Sequence, residues 1–197
     1  KLFIWRNVSE LWPRFQAHFP SAERTDLTIR MRGGIDETWA AHGRPVQLRA
    51  GEAVATRAAG YHAPHMLLIY EEAAGQDWSV LEAGRNTCTA PHNIRVALGN
   101  PNSQLDTLHR FSQEHGTIAI RASALDHPNV VLDDSSIIPG AASTVSVRER
   151  LELFGATDPV YQSRVRGISP EQASDSLIRL EWLKRSAERY KARLALT

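Results

Sequence analysis

Two adjacent carboxylates, Glu71 and Glu72, come directly after an apolar run at residues 66–70. Such a run is typical of a buried parallel strand that is covered on both faces, although periodicity alone leaves a buried helical turn open. Ligands of open α/β sheets gather outside the carboxyl ends of the strands, where both acids would then lie. There, one carboxylate could help to hold Mg²⁺ while its neighbour orients and polarises an attacking water. The pattern therefore predicts a site that hydrolyses a nucleoside triphosphate.

The neighbouring patterns predict the elements that would position these acids. A short helix at 77–83, a strand that starts at Ile94 and stops at Gly99-Asn100-Pro101, and a helix at 105–115 follow in turn. Proline cannot continue a central strand, so the chain must leave the sheet there. The alternating residues 117–122 predict a third strand. This order of strands and helices over residues 66–122 indicates an α/β fold with βαβ connections and a mostly parallel sheet.

Patterns outside this region predict further elements. Apolar residues between Trp5 and Phe19 recur at helical spacing, with a kink or break expected just before Pro13. Residues 27–31 alternate as a half-exposed strand that ends at Gly33-Gly34. Weaker strand patterns lie at 45–49 and 53–56, and residues 125–142 are predicted to form an irregular connection. A helix is predicted at 143–154, capped by Ser143 or Thr144, followed by a turn-bounded segment at 161–167. A last helix with a cationic outer face is predicted to begin near Ser176.

Composition limits the class of protein without identifying it. The chain has 197 residues, 42% of them hydrophobic, and a formal net charge of +1, so any contact with nucleic acid must come from a local patch. The single cysteine, Cys88, excludes an internal disulfide and is consistent with a reducing compartment. No apolar run approaches the roughly 20 residues that a membrane-spanning helix needs. A chain that begins at Lys1 inside a helical pattern is expected to be part of a longer protein.

Several separated stretches together resemble one family, the large terminase subunit of tailed bacteriophages. The stretches are 60–73, which is similar to the family's second ATP-binding motif, 97–101, which is similar to its coupling motif, and 121–130, 138–140 and 161–167. They occur in the family's order and at similar gaps, and they cover roughly residues 60–185. A short apolar run before two acids is common by chance, whereas the ordered set is much more specific.

The resemblance implies a DNA packaging motor. Enzymes of this family hydrolyse ATP in an N-terminal domain at the prohead portal and cut the DNA concatemer with a C-terminal nuclease. By resemblance, residues 1–123 are part of a P-loop (ASCE-type) ATPase core, and residues 124–197 are a linker and small helical subdomain. The implied cofactors are Mg²⁺ and ATP, and the implied partners are double-stranded DNA, the portal protein and the small terminase subunit. A ring on the portal in the host cytoplasm is implied, with a monomer expected in solution and no membrane contact.

Residue roles carry over by position. Glu72 would be the general base or water-positioning residue, and Glu71 would contact Mg²⁺ through water. Asn100, between Gly99 and Pro101, would sense the γ-phosphate and relay it to the helical subdomain, although the same residues also suit an ordinary turn. Tyr70 could stack near the nucleotide or belong to the core.

Three departures from the family pattern affect these expectations. No Gly-Lys-Ser/Thr phosphate loop occurs in the 197 residues, and Gly33-Gly34 lacks both the lysine and the hydroxyl. Glu71 stands where the family usually has aspartate. The family's nuclease carboxylates would lie beyond Thr197. The isolated chain is therefore expected to bind ATP weakly or not at all and to be inactive alone.

Two other functions remain open at this point. The chain could be a non-catalytic module that contacts the portal or the small terminase subunit. It could also be a fragment of a metal-dependent nuclease that uses Glu71, Glu72 and one aspartate. Other polar residues are interpreted as structural: His62 and His65 as loop histidines, Asp133 and Asp134 as loop-solvating charges, and Cys88 as an inert thiol.

Overall fold

The computed structural model describes residues 3–32, 39–44, 62–172, 178 and 180–194. In these ranges the protein is α/β, with helices, a three-stranded antiparallel sheet and a two-stranded parallel sheet. The fold class predicted from the sequence is confirmed at that level. The strand patterns at 45–49 and 53–56, the Gly33-Gly34 strand end, residues 60–61 of the first motif and the predicted helix start near Ser176 lie outside the described residues.

The N-terminal part combines a helix with the antiparallel sheet. Helix α1 (Phe3–His18) contains Pro13 and continues through it, so the predicted break is wrong. Strands β1 (Ala22–Arg24), β2 (Thr28–Met31) and β3 (Ala40–His42) pair in that order. Strand β2 confirms the strand predicted at 27–31.

The parallel sheet lies in the part of the chain that carries the acids. Strands β4 (Leu67–Tyr70) and β5 (Ile94–Ala97) pair in parallel, with Tyr70 opposite Ala97. Helix α2 (Trp78–Thr87) connects them, and helix α3 (Thr107–Ser112) follows β5. Asp77 and Asp106 cap the two helices by accepting hydrogen bonds from the backbone N–H groups of Ser79 and His109. The strand–helix–strand unit and its parallel pairing are thus as predicted.

One face of this sheet carries the core. Tyr70 packs there with Ala73, with Val80 and Leu81 of α2, and with Phe111 of α3. On the opposite face, Leu67, Ile69 and Ile94 are 57%, 51% and 57% exposed. The expectation of a strand covered on both faces is therefore wrong for the described residues, because α2 and α3 pack against the same side.

The third predicted strand, at 117–122, is also not observed. Residues 117–123 have no ladder partner among the described residues, and Ile118 and Ile120 are 86% and 90% exposed. A segment of alternating apolar residues forms a strand only where a neighbouring strand pairs with its backbone. The segment instead leads into the helical part, where the Ala124 N–H donates to the Val165 carbonyl at 2.7 Å.

A second, helical packing unit follows. It comprises α4 (Pro128–Val131), α5 (Thr144–Phe154) and α6 (Pro159–Arg164) around a small core of Val147, Tyr161 and Val165. Ser143 caps α5, as one of the two predicted alternatives has it. Within the predicted irregular connection, the fully buried amide of Asn129 exchanges two hydrogen bonds with the backbone of Ile138. Residues 159–164 are helical rather than only turn-bounded.

The last described element is α7 (Leu180–Leu194), whose side chains are exposed wherever they are described. Over the described ranges, none of the helices combines the length and the apolar character that crossing a membrane would take.

Candidate functional site

The acid pair lies where the parallel ladder is interrupted. The Leu98 N–H donates to the Tyr70 carbonyl at 2.9 Å, as the register requires. In a regular parallel ladder the Leu98 carbonyl would next accept from Glu72, two residues after Tyr70. It accepts instead from the Ala73 N–H, at 2.9 Å. One extra residue is thus accommodated at the carboxyl end of β4, and Glu71 and Glu72 form a bulge there.

Glu72 has a backbone conformation that non-glycine residues seldom adopt. Its φ and ψ are 51° and 44°, in the left-handed region. Such a conformation costs on the order of 1 kcal/mol for a residue with a Cβ, and it persists only when the surroundings impose it. Bulges and strained residues of this kind concentrate next to functional sites, where they re-aim side chains. The outlier therefore supports a functional hypothesis for this turn.

Gly99 lies directly against the bulge. A Cβ built on Gly99 would lie 3.2 Å from the Ala73 nitrogen and 3.4 Å from the Glu72 Cα, closer than side-chain carbons normally approach. Glycine at this position lets the two strand ends come together. The acid turn and the start of the 99–101 segment therefore lie so close together that any side chain at position 99 would meet the turn.

Two polar side chains fasten the turn from behind. The Gln76 Nε2 donates to the Glu71 carbonyl at 2.6 Å, and the Thr107 Oγ1 donates to the Gln76 carbonyl at 2.6 Å. Because Thr107 is the first residue of α3, these bonds hold the bulge at a fixed place on the helix that packs beneath it.

The carboxylates themselves are available for a ligand. Glu71 is half-buried and Glu72 is exposed, and within the described part of the chain neither side chain has a hydrogen-bond or ion-pair partner. Asn100 is exposed as well. Two adjacent carboxylates with open coordination suit a hard divalent cation, which prefers oxygen ligands and keeps several waters.

Tyr70, in contrast, belongs to the core. It is 8% exposed and meets Phe111 edge to face, with ring centroids 6.4 Å apart. Burial raises the pKa of Tyr70 to about 12, although nearby Arg95 lowers it in part. This placement agrees with the core interpretation, and stacking on a nucleotide would require the core to open.

The residues before β4 lie at the amino ends of the two parallel strands, opposite the end that carries Glu71 and Glu72. An open cavity of about 270 Å³ is lined by residues 62–64, which precede β4, by Asn93, which precedes β5, and by residues at the end of α2. His65 stacks on His92 at this end of the strands, with ring centroids 5.0 Å apart. The cavity thus lies at the amino ends of the strands, away from Glu71 and Glu72.

The remaining candidates fit their structural interpretations. Burial raises the pKa of the Cys88 thiol, which works against a nucleophilic role. Asp134 accepts hydrogen bonds from the backbone and hydroxyl of Ser136 within its own loop. Among the residues that the structure describes, no three His, Cys, Asp or Glu side chains are placed to share a metal ion. The nuclease hypothesis stays a prediction.

Sequence reasoning missed the residues that fasten the turn. Gln76 and Thr107 lie in polar stretches without periodicity, so no local signal marks them. Ser163 is also new: its hydroxyl donates to the Pro101 carbonyl. Ser163 does lie in one of the stretches that resemble the terminase family, 161–167, and that resemblance was the signal that could have indicated it.

Comparison of the chain with protein families, curated proteins and solved structures finds no match. Support for a function therefore comes from the site and from the sequence motifs.

Proposed function

We propose that this chain is part of an ATP-driven motor for packaging double-stranded DNA, of the large terminase kind. In this proposal, Glu71 and Glu72 serve ATP hydrolysis, and the 99–101 segment passes the state of the nucleotide to the helical unit. The observation that carries the proposal is the bulge at the carboxyl end of β4, which sets beside Gly99 two carboxylates that have no partner in the described ranges.

The chemistry divides between the two acids. Glu72 is the residue of the bulge with the left-handed backbone, and its exposed carboxylate orients the attacking water or accepts a proton from it. Glu71, half-buried and held through its carbonyl by Gln76, would help to hold Mg²⁺ by accepting a hydrogen bond from one of the waters bound to the ion. Asn100 directly follows Gly99 and is exposed, which suits a role in sensing the γ-phosphate.

A continuous set of contacts supports the coupling role of the segment. The Ala73 N–H donates to the Leu98 carbonyl directly before Gly99, the buried Pro101 carbonyl accepts the Ser163 hydroxyl, and the Gln104 N–H donates to the Pro170 carbonyl at 2.8 Å. A displacement of the acid turn would move Gly99 first and then shift α6 through Pro101. Coupling of this type requires two arrangements of the packed elements.

The sequence contains no phosphate loop, so the proposal requires that another segment or subunit provides the amides and lysine that cradle the triphosphate. Among ATPase parts, this chain would supply water activation and part of the metal site only.

The test is charge removal in the complete protein. Glu72→Gln should abolish ATP hydrolysis, and Glu71→Gln should raise the Mg²⁺ concentration needed for it. Glu82→Gln, an exposed glutamate on α2, removes the same charge as the matched control. Unfolding midpoints of all three should stay close to the parent, because none of these carboxylates forms a hydrogen bond or ion pair with another described side chain. Full ATP hydrolysis by the Glu72→Gln protein would overturn the proposal.

A second function is favoured by a separate observation. The uncovered face of the β4–β5 sheet, formed by Leu67, Ile69 and Ile94, suits a contact with another protein. The chain would then be a non-catalytic module for the portal protein or the small terminase subunit. Replacement of Ile69 by Lys would abolish that contact and leave ATP hydrolysis intact, whereas Glu72→Gln would have no effect on either.

A further inference from the structure

Helix α7 carries a row of arginines on an exposed surface. Arg185, Arg189 and Arg193 recur at every fourth residue, so they lie on one face of the helix. With a rise of about 1.5 Å per residue, neighbouring members of the row are about 6 Å apart along the axis. Arg189 and Arg193 are exposed.

The positive charge of this helix is local. Helix α7 includes five cationic side chains, Lys184, Arg185, Arg189, Lys191 and Arg193, against two carboxylates, Glu181 and Glu188. Lys184 forms an ion pair with Glu171, outside the helix, at 2.5 Å. The whole chain has a net charge of only +1, so α7 concentrates an excess that the rest of the molecule cancels.

An aromatic side chain lies within the same row. Trp182 precedes Arg185, Arg189 and Arg193 by three, seven and eleven residues, which places it on their face, and it is 59% exposed. An amphipathic helix that lies on a membrane keeps its aromatic side chains opposite its basic ones. On α7 the exposed apolar side chains Leu183 and Tyr190 form a separate stripe, whereas Trp182 lies beside the arginines, so the arginine face itself offers cations and an aromatic ring to a polyanion.

We propose that the arginine row of α7 binds the phosphate backbone of duplex DNA without reading its sequence. Guanidinium groups bind phosphate oxygens in a bidentate manner. Phosphates recur about every 3.4 Å along the axis of each DNA strand, so a row of arginines on one helix face can meet more than one phosphate. The choice of duplex DNA rests on the proposed packaging function, whereas the preference for phosphate follows from the charges of α7 alone.

The experiment uses the full chain, without nucleotide, and a fluorescently labelled DNA duplex. Binding is measured by anisotropy over a series of salt concentrations. The Arg189→Gln/Arg193→Gln variant should bind roughly ten- to a hundredfold more weakly at low salt, and its salt slope should fall by about two, one for each arginine that no longer neutralises a phosphate. The Arg148→Gln/Arg150→Gln variant removes the same charge from exposed positions on α5 and should keep the parent slope.

Several outcomes would overturn the inference. They are equal slopes for the α7 variant and the parent, an equal loss of affinity in the α5 control, tighter binding to the corresponding single strand, or binding to phosphatidylserine vesicles in place of DNA. A salt slope that falls only in the α7 variant supports it. Because no ATP is present, failure here would leave the Glu72 proposal intact, and an active Glu72→Gln enzyme would leave the DNA contact intact.

Discussion

The hydroxyl of Ser163 donates a hydrogen bond to the carbonyl of Pro101, across 62 residues of sequence. Both residues are buried, and Pro101 ends the segment whose first residue, Gly99, leaves no room for a Cβ beside the acid turn. This bond joins the strand unit, with its core around Leu81, to the helical unit, with its core around Val165. It therefore lies on the route by which the two units could influence each other.

Removal of this hydroxyl should weaken the connection between the two units. Ser163→Ala leaves the buried Pro101 carbonyl without its donor, and we expect a loss of about 1–3 kcal/mol in the free energy of unfolding. Urea denaturation measures the loss, and faster hydrogen exchange at the Gln104 amide, which donates to Pro170, would report the local opening. Ser112→Ala is the control, since its hydroxyl makes only local bonds at the end of α3: it donates to the His109 carbonyl and accepts from the Gln113 side chain. Equal stability losses in both variants would show that the bond to Pro101 contributes no more to stability than a local hydroxyl hydrogen bond.

Gly99 should be intolerant of even one methyl group. Gly99→Ala places a Cβ against the Ala73 nitrogen and the Glu72 Cα, so the ladder bond from Ala73 to Leu98 must lengthen or the bulge must shift. We expect a destabilisation of about 1–3 kcal/mol, measured by chemical denaturation.

The same turn provides the control for this substitution. A Cβ on Gly75 would have no heavy atom within 4 Å, so Gly75→Ala should change stability by less than about 0.5 kcal/mol. A Gly99→Ala protein as stable as the Gly75→Ala protein would contradict the close approach described for the strand ends.

The placement of Glu71 and Glu72 shows how far the sequence alone could lead. An apolar run before two acids predicts a strand end in a parallel sheet, and that is where they lie. The bulge could not be predicted, because it depends on a hydrogen bond that Ala73 makes to Leu98 instead of one from Glu72. Nothing in the composition of the turn distinguishes the two bonds.

The wrongly predicted third strand and the unpredicted Ser163 bond have a common cause. Period-two alternation at 117–122 reports only which residues could share a face, and a strand also needs a neighbour in register. The Ser163–Pro101 bond likewise depends on contacts between segments far apart in sequence. Local patterns predicted the longer helices and β2, β4 and β5, whereas the short helices α4 and α6 and the contacts between distant segments were not predicted.

The ion pair between Arg95 and Glu114 should matter more than the surface pairs. The Arg95 Nη2 lies 2.6 Å from the Glu114 carboxylate, and the two side chains are only 18% and 15% exposed. Arg95 also lies over the Phe111 ring, 5.0 Å from its centroid. Glu114→Gln removes the counter-charge from a guanidinium held against the core, and we expect a loss of about 2–4 kcal/mol in the free energy of unfolding.

An exposed pair on α1 supplies the comparison for this ion pair. Arg6 and Glu10 are 3.2 Å apart, with side chains 78% and 62% exposed, so Glu10→Gln should cost less than about 0.5 kcal/mol. Urea midpoints of both variants at low and high salt provide the test. Equal losses for the two substitutions would mean that the Arg95 pair is as well solvated as the surface pair.

The packing of α2 on β4 should depend on Gly84 and Tyr70 together. A Cβ on Gly84 would overlap the Tyr70 hydroxyl and approach the Leu68 Cδ1 at 3.0 Å, so Gly84→Ala should destabilise the protein by about 2 kcal/mol or more. The Tyr70 hydroxyl is buried without a hydrogen-bond partner among the described residues, so Tyr70→Phe alone should be nearly neutral or stabilising. Because that change removes the overlapping atom, Gly84→Ala should cost clearly less in the Tyr70→Phe background. A double-mutant cycle of unfolding free energies measures this coupling, and strictly additive effects would place the Tyr70 ring away from α2.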